Sequence, residues 1–181
     1  MSASDLTKIS KYLSYHLRHR PDLLGLTPAP GGWVPVAELL AASTAQGFPI
    51  SREQLEAVVS NSDKKRFGFD PTGAFIRAHQ GHSITIDLQL ISEIPPPQLY
   101  HGTGRQLIES ILQLGLQKMS RHHVHLSSDL ATAQKVAMRQ GKPAILEINA
   151  QAMSQDGYHF YCSENQVWLV DEVPVEYLTL L

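Results

Sequence analysis

The side chains with most chemical capacity in this 181-residue chain are cations and imidazoles gathered into short runs. Leu17-Arg18-His19-Arg20-Pro21 sets two guanidinium groups and an imidazole almost side by side. A guanidinium offers a rigid fork of donors that matches phosphate oxygens in pairs, and it cannot serve as a base at neutral pH. The same run also suits the end of a helix, where cations meet the negative pole of the macrodipole. Asp63-Lys64-Lys65-Arg66-Phe67 is a second cationic run, for which a charged edge strand is the plain alternative. A phosphate monoester carries about −1.5 to −2 charges at neutral pH, so holding one takes several such donors.

The histidines are just as clustered. Ile76-Arg77-Ala78-His79-Gln80-Gly81-His82-Ser83 is unusually polar for the exit of a strand. His79 and His82 have a spacing open to a metal, but no cysteine or carboxylate cluster accompanies them, so hydrogen-bonded structure is expected. Tyr100-His101-Gly102-Thr103 carries a glycine at a strand end, where the missing Cβ lets backbone approach a ligand closely. In Arg121-His122-His123-Val124-His125-Leu126-Ser127, strand alternation puts His123 and His125 on one face and Val124 on the other. A buried, hydrogen-bonded histidine explains either motif taken alone. No Gly-x-Gly-x-x-Gly follows a strand and no P-loop occurs, which disfavours a dinucleotide fold of the usual kind. Cys162 has His159, Ser163 and Glu164 near it in sequence but nothing that marks an activated nucleophile. As the single cysteine it excludes a disulfide framework and a cysteine-based zinc site.

These groups need a scaffold, and the composition supplies one. Hydrophobic residues make up 43% and charged residues 18%, ordinary for a folded core and too apolar for a disordered chain. The formal net charge is −2, from 15 Lys plus Arg against 17 Asp plus Glu. That excludes a strongly basic protein that coats nucleic acid; any such contact must come from a local patch. No apolar stretch approaches the ~18 residues of a membrane span, and Met1-Ser-Ala-Ser-Asp lacks the regions of a signal peptide. A soluble, cytoplasmic protein is the expectation.

Ile94-Pro95-Pro96-Pro97-Gln98 reads as a stiff connection, so two lobes are expected at residues 1–94 and 95–181. In the first, Leu6, Ile9, Leu13 and Leu17 mark a helical face, with Asp5 as N-cap and Pro21 as stop. Pro35 opens a second helix, and Ser51-Arg52-Glu53-Gln54 is a capping box ahead of a third. Arg66–Phe69 and Ala74–Ala78 flank the turn Asp70-Pro71-Thr72-Gly73, a hairpin signal. Three helices and a hairpin resemble a winged helix by element order. In the second lobe, strands are expected at 98–101, 123–127, 144–148, 159–161 and 166–170. Helices are expected from Arg105 to Gln113, ended by Gly115, and from a Ser128 cap to Arg139. The fold class is therefore α+β, with a mainly antiparallel sheet in the second lobe.

Six segments taken in order resemble one family, the NAD-dependent RNA (tRNA) 2′-phosphotransferases. They are Leu13–His19, Asp63–Phe67, Ile76–Ser83, His101–Thr103, Met119–Ser127 and Val167–Leu169. The resemblance implies an N-terminal winged-helix-like lobe that binds the RNA phosphate. It also implies a C-terminal ADP-ribosyltransferase-like lobe that binds NAD, with the active site in the cleft between. The implied reaction removes an internal 2′-phosphate from RNA, such as spliced tRNA, in two steps. The phosphate attacks C1″ of NAD and expels nicotinamide, giving an ADP-ribosylated RNA intermediate. The ribose 2″-hydroxyl then attacks phosphorus, releasing 2′-hydroxyl RNA and ADP-ribose 1″,2″-cyclic phosphate. tRNA splicing and RNA repair are the processes such chemistry would serve.

The family's essential Arg-His-Arg-Arg set carries over to Arg18, His19, Arg66 and Arg139, the last by its place after the His-Val-His-Leu-Ser strand. His101, Gly102, Thr103, His125 and Ser127 match the NAD-binding motifs. NAD is implied as co-substrate, metal is not required, and a monomer is expected. Where ADP-ribosyltransferases that modify proteins usually carry a glutamate, Val167 stands here. A phosphate acceptor is already anionic and needs no base, so the difference fits. The alternative is a transferase that modifies protein or a nucleic-acid terminal phosphate and stops at the adduct. A winged-helix regulator that merely senses NAD would release no nicotinamide.

Overall fold

The computed structural model describes residues 3–62 and 65–181. The chain divides into Met1–Gln89 and Leu90–Leu181, a boundary that lies ahead of the proline run rather than inside it. The reason is a short strand, β4 (Ser92–Glu93), which pairs within the second unit and takes the residues before Pro95 with it.

The first unit begins with α1 (Ala3–Arg18). Ile9, Leu13 and Leu17 are buried at helical spacing, as the pattern predicts. Asp5 is not the cap. The helix already runs at Ala3, so Asp5 sits in the first turn, where its charge still complements the macrodipole. Pro21 does not merely stop the helix; it opens a short 3-10 turn, Pro21–Leu24. After β1 (Val34–Pro35) comes α2 (Val36–Ala45), with Pro35 at its N-cap. α3 (Arg52–Ser60) carries the capping box in full: Ser51 Oγ accepts from Gln54 N–H at 3.2 Å, and Gln54 Oε1 accepts from Ser51 N–H at 2.9 Å.

β2 (Phe67–Phe69) and β3 (Phe75–Ala78) form the expected hairpin. Its turn is held by the Asp70 carboxylate, which accepts from Thr72 Oγ1 at 2.5 Å and Phe75 N–H at 2.8 Å. Those bonds hold the Asp70 pKa below its usual range. β1 joins β3 on the far side, giving the antiparallel order β1-β3-β2. Two residues, one of them proline, were too short a signal to announce that strand. Leu13, Leu39, Leu55, Phe67 and Ile76 meet in the core at 2% exposure or less. Each such side chain contributes about 1.5–3 kcal/mol by leaving water.

The second unit is built on β5 (Gln98–Gly104), which runs past the expected four residues to the end of the His-Gly-Thr motif. A 3-10 turn over Arg105–Leu107 precedes α4 (Ile108–Leu114), ended by Gly115 at φ 76°. β6 (Leu116–Gln117) and β7 (Val124–Leu126) follow, then α5 (Leu130–Ala137) and a 3-10 turn over Met138–Gln140. Asp129, not Ser128, caps α5: its Oδ1 accepts from Thr132 N–H at 2.7 Å. Both residues are cap formers, and only the position of the first helical N–H decides between them.

β8 (Pro143–Asn149), α6 (Ala150–Gln155), β9 (Phe160–Cys162), β10 (Trp168–Val170), β11 (Glu172–Val173) and β12 (Leu178–Leu180) complete the unit. β10 starts later than expected because Gln166 takes φ 61° in the turn that Ser163 closes. The strands form sheets of order β12-β8-β5, β4-β9-β10-β7 and β11-β6, and every pairing among the described residues is antiparallel. Tyr100 and Ser127 exchange N–H to carbonyl bonds of 2.8 Å each, the bridge that sets β5 beside the end of β7. Among the described residues no helix is long and apolar enough to cross a membrane.

Candidate active site

Three segments distant in sequence converge in the first unit. Arg18 is the last residue of α1, and its carbonyl accepts from Ser83 N–H at 3.0 Å. The guanidinium lies against Gly81: a Cβ there would stand 3.6 Å from Nη1. Gly81 has φ +88°, so it is the backbone, rather than lack of space, that calls for glycine. On its other side the Arg18 guanidinium carbon is 5.8 Å from the centre of the Phe67 ring. His19 Nδ1 and the Ser83 hydroxyl share a hydrogen bond of 2.8 Å. Arg66 stands just before β2, and its carbonyl accepts from His79 N–H at 3.0 Å. The helix end, the hairpin entrance and the hairpin exit are thus tied by backbone bonds. Asp63 and Lys64 of the second cationic run lie outside the described residues.

His79 and His82 are both buried, at 8% and 1% exposure. Among the described residues no group of three or more His, Cys, Asp or Glu is placed to hold a metal ion.

In the second unit the bridge between Tyr100 and Ser127 brings the two histidine motifs together. His101 follows Tyr100 on β5, and its Nδ1–H donates to the His125 carbonyl at 3.0 Å. Burial pushes the His101 pKa down, and Arg121 adds to that, against the opposing hydrogen bond to His125. A neutral His101 with its proton on Nδ1 keeps Nε2 as an acceptor. His125 is the reverse. Arg121 Nη1 donates to its Nδ1 at 2.7 Å, so the ring proton resides on Nε2 and points a donor outward from that nitrogen. Nothing in the sequence gives Arg121 a role, because an arginine four residues from a histidine is a common spacing and carries no signal by itself.

Val124 and Leu126 are buried on one side of β7, which leaves His125 on the other. His123 lies just ahead of the strand, edge-on to Tyr161 with ring centres 5.5 Å apart. Burial lowers its pKa too, against the pull of Asp171. Thr103 is buried at 4% exposure.

Gly102 is closely packed against backbone. A Cβ at this position would fall 2.0 Å from the Ala133 carbonyl oxygen and 2.9 Å from Ala137 N. The backbone of α5 occupies the space on the Cβ side of Gly102. The contact has a consequence for Arg139, which follows α5 in the Met138–Gln140 turn and is exposed. With α5 seated directly on β5, Arg139 is carried by the element that touches the His-Gly-Thr strand. Val167 sits where the strand β10 begins: its N–H donates to Ser163 Oγ at 3.1 Å and its carbonyl accepts from Ser163 N–H at 3.0 Å. Glu164 is exposed in that turn, and Glu172 lies in β11 opposite Gln117.

Residues 4–172 match the family model described as RNA 2′-phosphotransferase, Tpt1 / KptA family. A probable RNA 2′-phosphotransferase of Nostoc punctiforme is 61% identical over 178 residues, 98% of each chain. One of Trichormus variabilis is 58% identical over the whole of both chains, and one of Streptomyces coelicolor 49% identical over 98% of this chain and 97% of its own. Identity of this degree extends over both units, and the chain belongs to the RNA 2′-phosphotransferase family.

Proposed function

We propose that this protein removes an internal 2′-phosphate from RNA by transferring it to NAD, with 2′-hydroxyl RNA, nicotinamide and ADP-ribose 1″,2″-cyclic phosphate as products. NAD is the second substrate and supplies the electrophilic ribose carbon and the 2″-hydroxyl that completes transfer. The first unit is read as the winged-helix-like, RNA-binding lobe and the second as the ADP-ribosyltransferase-like lobe. The observation that carries the reading is the convergence of Arg18, His19 and Arg66, from three separate segments, in a chain of this family.

Arg18 and Arg66 bind the phosphate oxygens, since guanidinium forks fit them and remain charged at any working pH. His19 is the one group of the set that can both donate and change charge near neutrality, and Ser83 holds its Nδ1. In the second unit His101 offers an acceptor at Nε2 and His125 a donor at Nε2, a complementary pair for the hydroxyls and amide of NAD. Thr103 and Ser127 flank them. Arg139 meets the negative charge that grows on phosphoryl oxygens in the second step. At Val167 there is no carboxylate to deprotonate an acceptor, which suits a nucleophile that is already anionic.

The test is incubation of the pure protein with a 2′-phosphorylated oligonucleotide and NAD, with the products resolved. Nicotinamide and the cyclic phosphate are expected, and chelation of divalent metal is expected to leave turnover unchanged. A stable ADP-ribosyl adduct as the end product would overturn the two-step reading. Arg66→Ala should weaken phosphorylated-RNA binding far more than NAD binding; calorimetry with the opposite result would overturn the division of labour.

A further inference from the structure

A groove of ≈ 420 Å³ runs along α1 in the first unit, away from the residues assigned so far except at one end. Thr7, Ser10, Lys11 and Ser14 line one wall, which is a single face of the helix at spacings of three and four. Asn61 and Ser62, just past α3, line the other wall, and Arg66 closes an end. Among the described residues no carboxylate lines the groove, while two cations do. The side chains of Ser10, Lys11, Ser14 and Arg66 make no hydrogen bond or ion pair with another described residue. Two cations without a partner among the described residues, set beside hydroxyls and the apolar side chains of Leu6 and Val58 in a concave surface, fit an anionic chain that also presents sugar carbons.

The neutral groups narrow its class. Asn61 Nδ2 donates to the Ala57 carbonyl at 2.9 Å, which turns Oδ1 into the amide's remaining acceptor. Ser62 Oγ is shielded from solvent and has no hydrogen-bond partner. Hydroxyls and an amide acceptor beside two cations match alternating phosphates and ribose hydroxyls, and among the described residues no aromatic platform for a base lines the groove. From Lys11 to Arg18 the helix rises about 10 Å. A strand whose 2′-phosphate sits at Arg18 would therefore reach Lys11 within a few nucleotides.

We infer that this groove binds the sugar-phosphate backbone of RNA flanking the 2′-phosphorylated nucleotide, without reading its bases, and that Lys11 is its phosphate contact. The inference rests on the reading above that the chain acts on RNA. Arg66 is shared between the reacting phosphate and the groove.

The experiment compares fluorescence anisotropy of a 2′-phosphorylated dinucleotide with that of a hexanucleotide carrying the same group, in several base sequences. The proteins are wild type, Lys11→Ala and Lys11→Glu. Lys11 is exposed, so neither change threatens the core. The wild type should bind the hexanucleotide more tightly whatever its bases. Lys11→Ala should weaken the hexanucleotide about three- to tenfold and leave the dinucleotide unchanged. Its salt slope should fall by about 0.7, the value for one phosphate contact on a single strand. Lys11→Glu should weaken the hexanucleotide further. Equal affinity of wild type for both lengths, or variants that weaken neither or both lengths equally, would overturn the groove. Turnover of the dinucleotide by the wild type tests the underlying activity separately, because the anisotropy comparison needs no reaction.

Discussion

Arg121 Nη1 donates to His125 Nδ1 at 2.7 Å, and the His125 carbonyl in turn accepts from His101 Nδ1 at 3.0 Å. One arginine thereby sets the tautomer of one histidine, and its charge adds to the loss of basicity that burial imposes on the other. Arg121→Ala should let the His125 proton redistribute between its two nitrogens, visible in the ring ¹⁵N shifts. It should also raise the His101 pKa. Hydrogen bonds to charged groups contribute about 1.5–3 kcal/mol when sheltered and less when exposed, so turnover should fall about tenfold. Unchanged ¹⁵N shifts would mean that Arg121 does not control the pair.

Arg139→Ala should separate the two chemical steps. In the first, phosphate is the nucleophile and gains nothing from extra positive charge; in the second, charge accumulates on the phosphoryl oxygens. Loss of one such contact costs about 10²–10³ in rate. The ADP-ribosylated RNA should build up and run above substrate and product on a denaturing gel. A mutant that leaves substrate untouched would put Arg139 in NAD binding or in the first step.

Acid should destabilise the protein before it unfolds at any carboxylate. Burial holds His101 and His123 below the ordinary histidine range, while the unfolded chain titrates near about 6.5. Below that pH the unfolded chain binds protons that the native state does not, so this stability is present above about 6.5 and lost on acidification. The urea midpoint should drop between about pH 7.5 and 5.5, and His101→Gln should flatten the drop. A midpoint that rises on acidification would contradict the assignment.

Gly102→Ala should be costly although it adds one methyl group. The new carbon would run into the Ala133 carbonyl oxygen, and the backbone of α5 cannot yield as a side chain can. Overpacking of this kind typically costs about 1–3 kcal/mol, occasionally more. The thermal midpoint should fall accordingly. A variant that melts like the wild type but fails to bind NAD would return Gly102 to the ligand-contact role.

The long amphipathic helices, the capping box and the hairpin were legible because each has a local cause: periodicity, a cap pair, a turn with Asp, Pro and Gly. The short strands were not. β1, β4, β6 and β11 have two residues each and exist only because a partner strand lies alongside. Among the candidate site residues, Arg18, His19 and Arg66 were legible from charge runs and family motifs together, and their convergence is visible only through the bonds to Ser83 and His79. The packing of α5 on Gly102 was not legible for a physical reason: sequence tells that a Cβ is missing, not which backbone occupies the space.

The bridge at Tyr100 and Ser127 has one more implication. His101 belongs to the sheet containing β8 and β12, His125 to the sheet containing β9 and β10, and the two meet at a pair of backbone bonds. A ligand gripped by both histidines would act as a staple across a seam. Occupancy then strengthens the joint itself, and each tenfold rise of free ligand above its Kd adds about 1.4 kcal/mol to unfolding. The melting temperature of this chain thus becomes a direct gauge of what sits there, readable even with a non-reacting analogue.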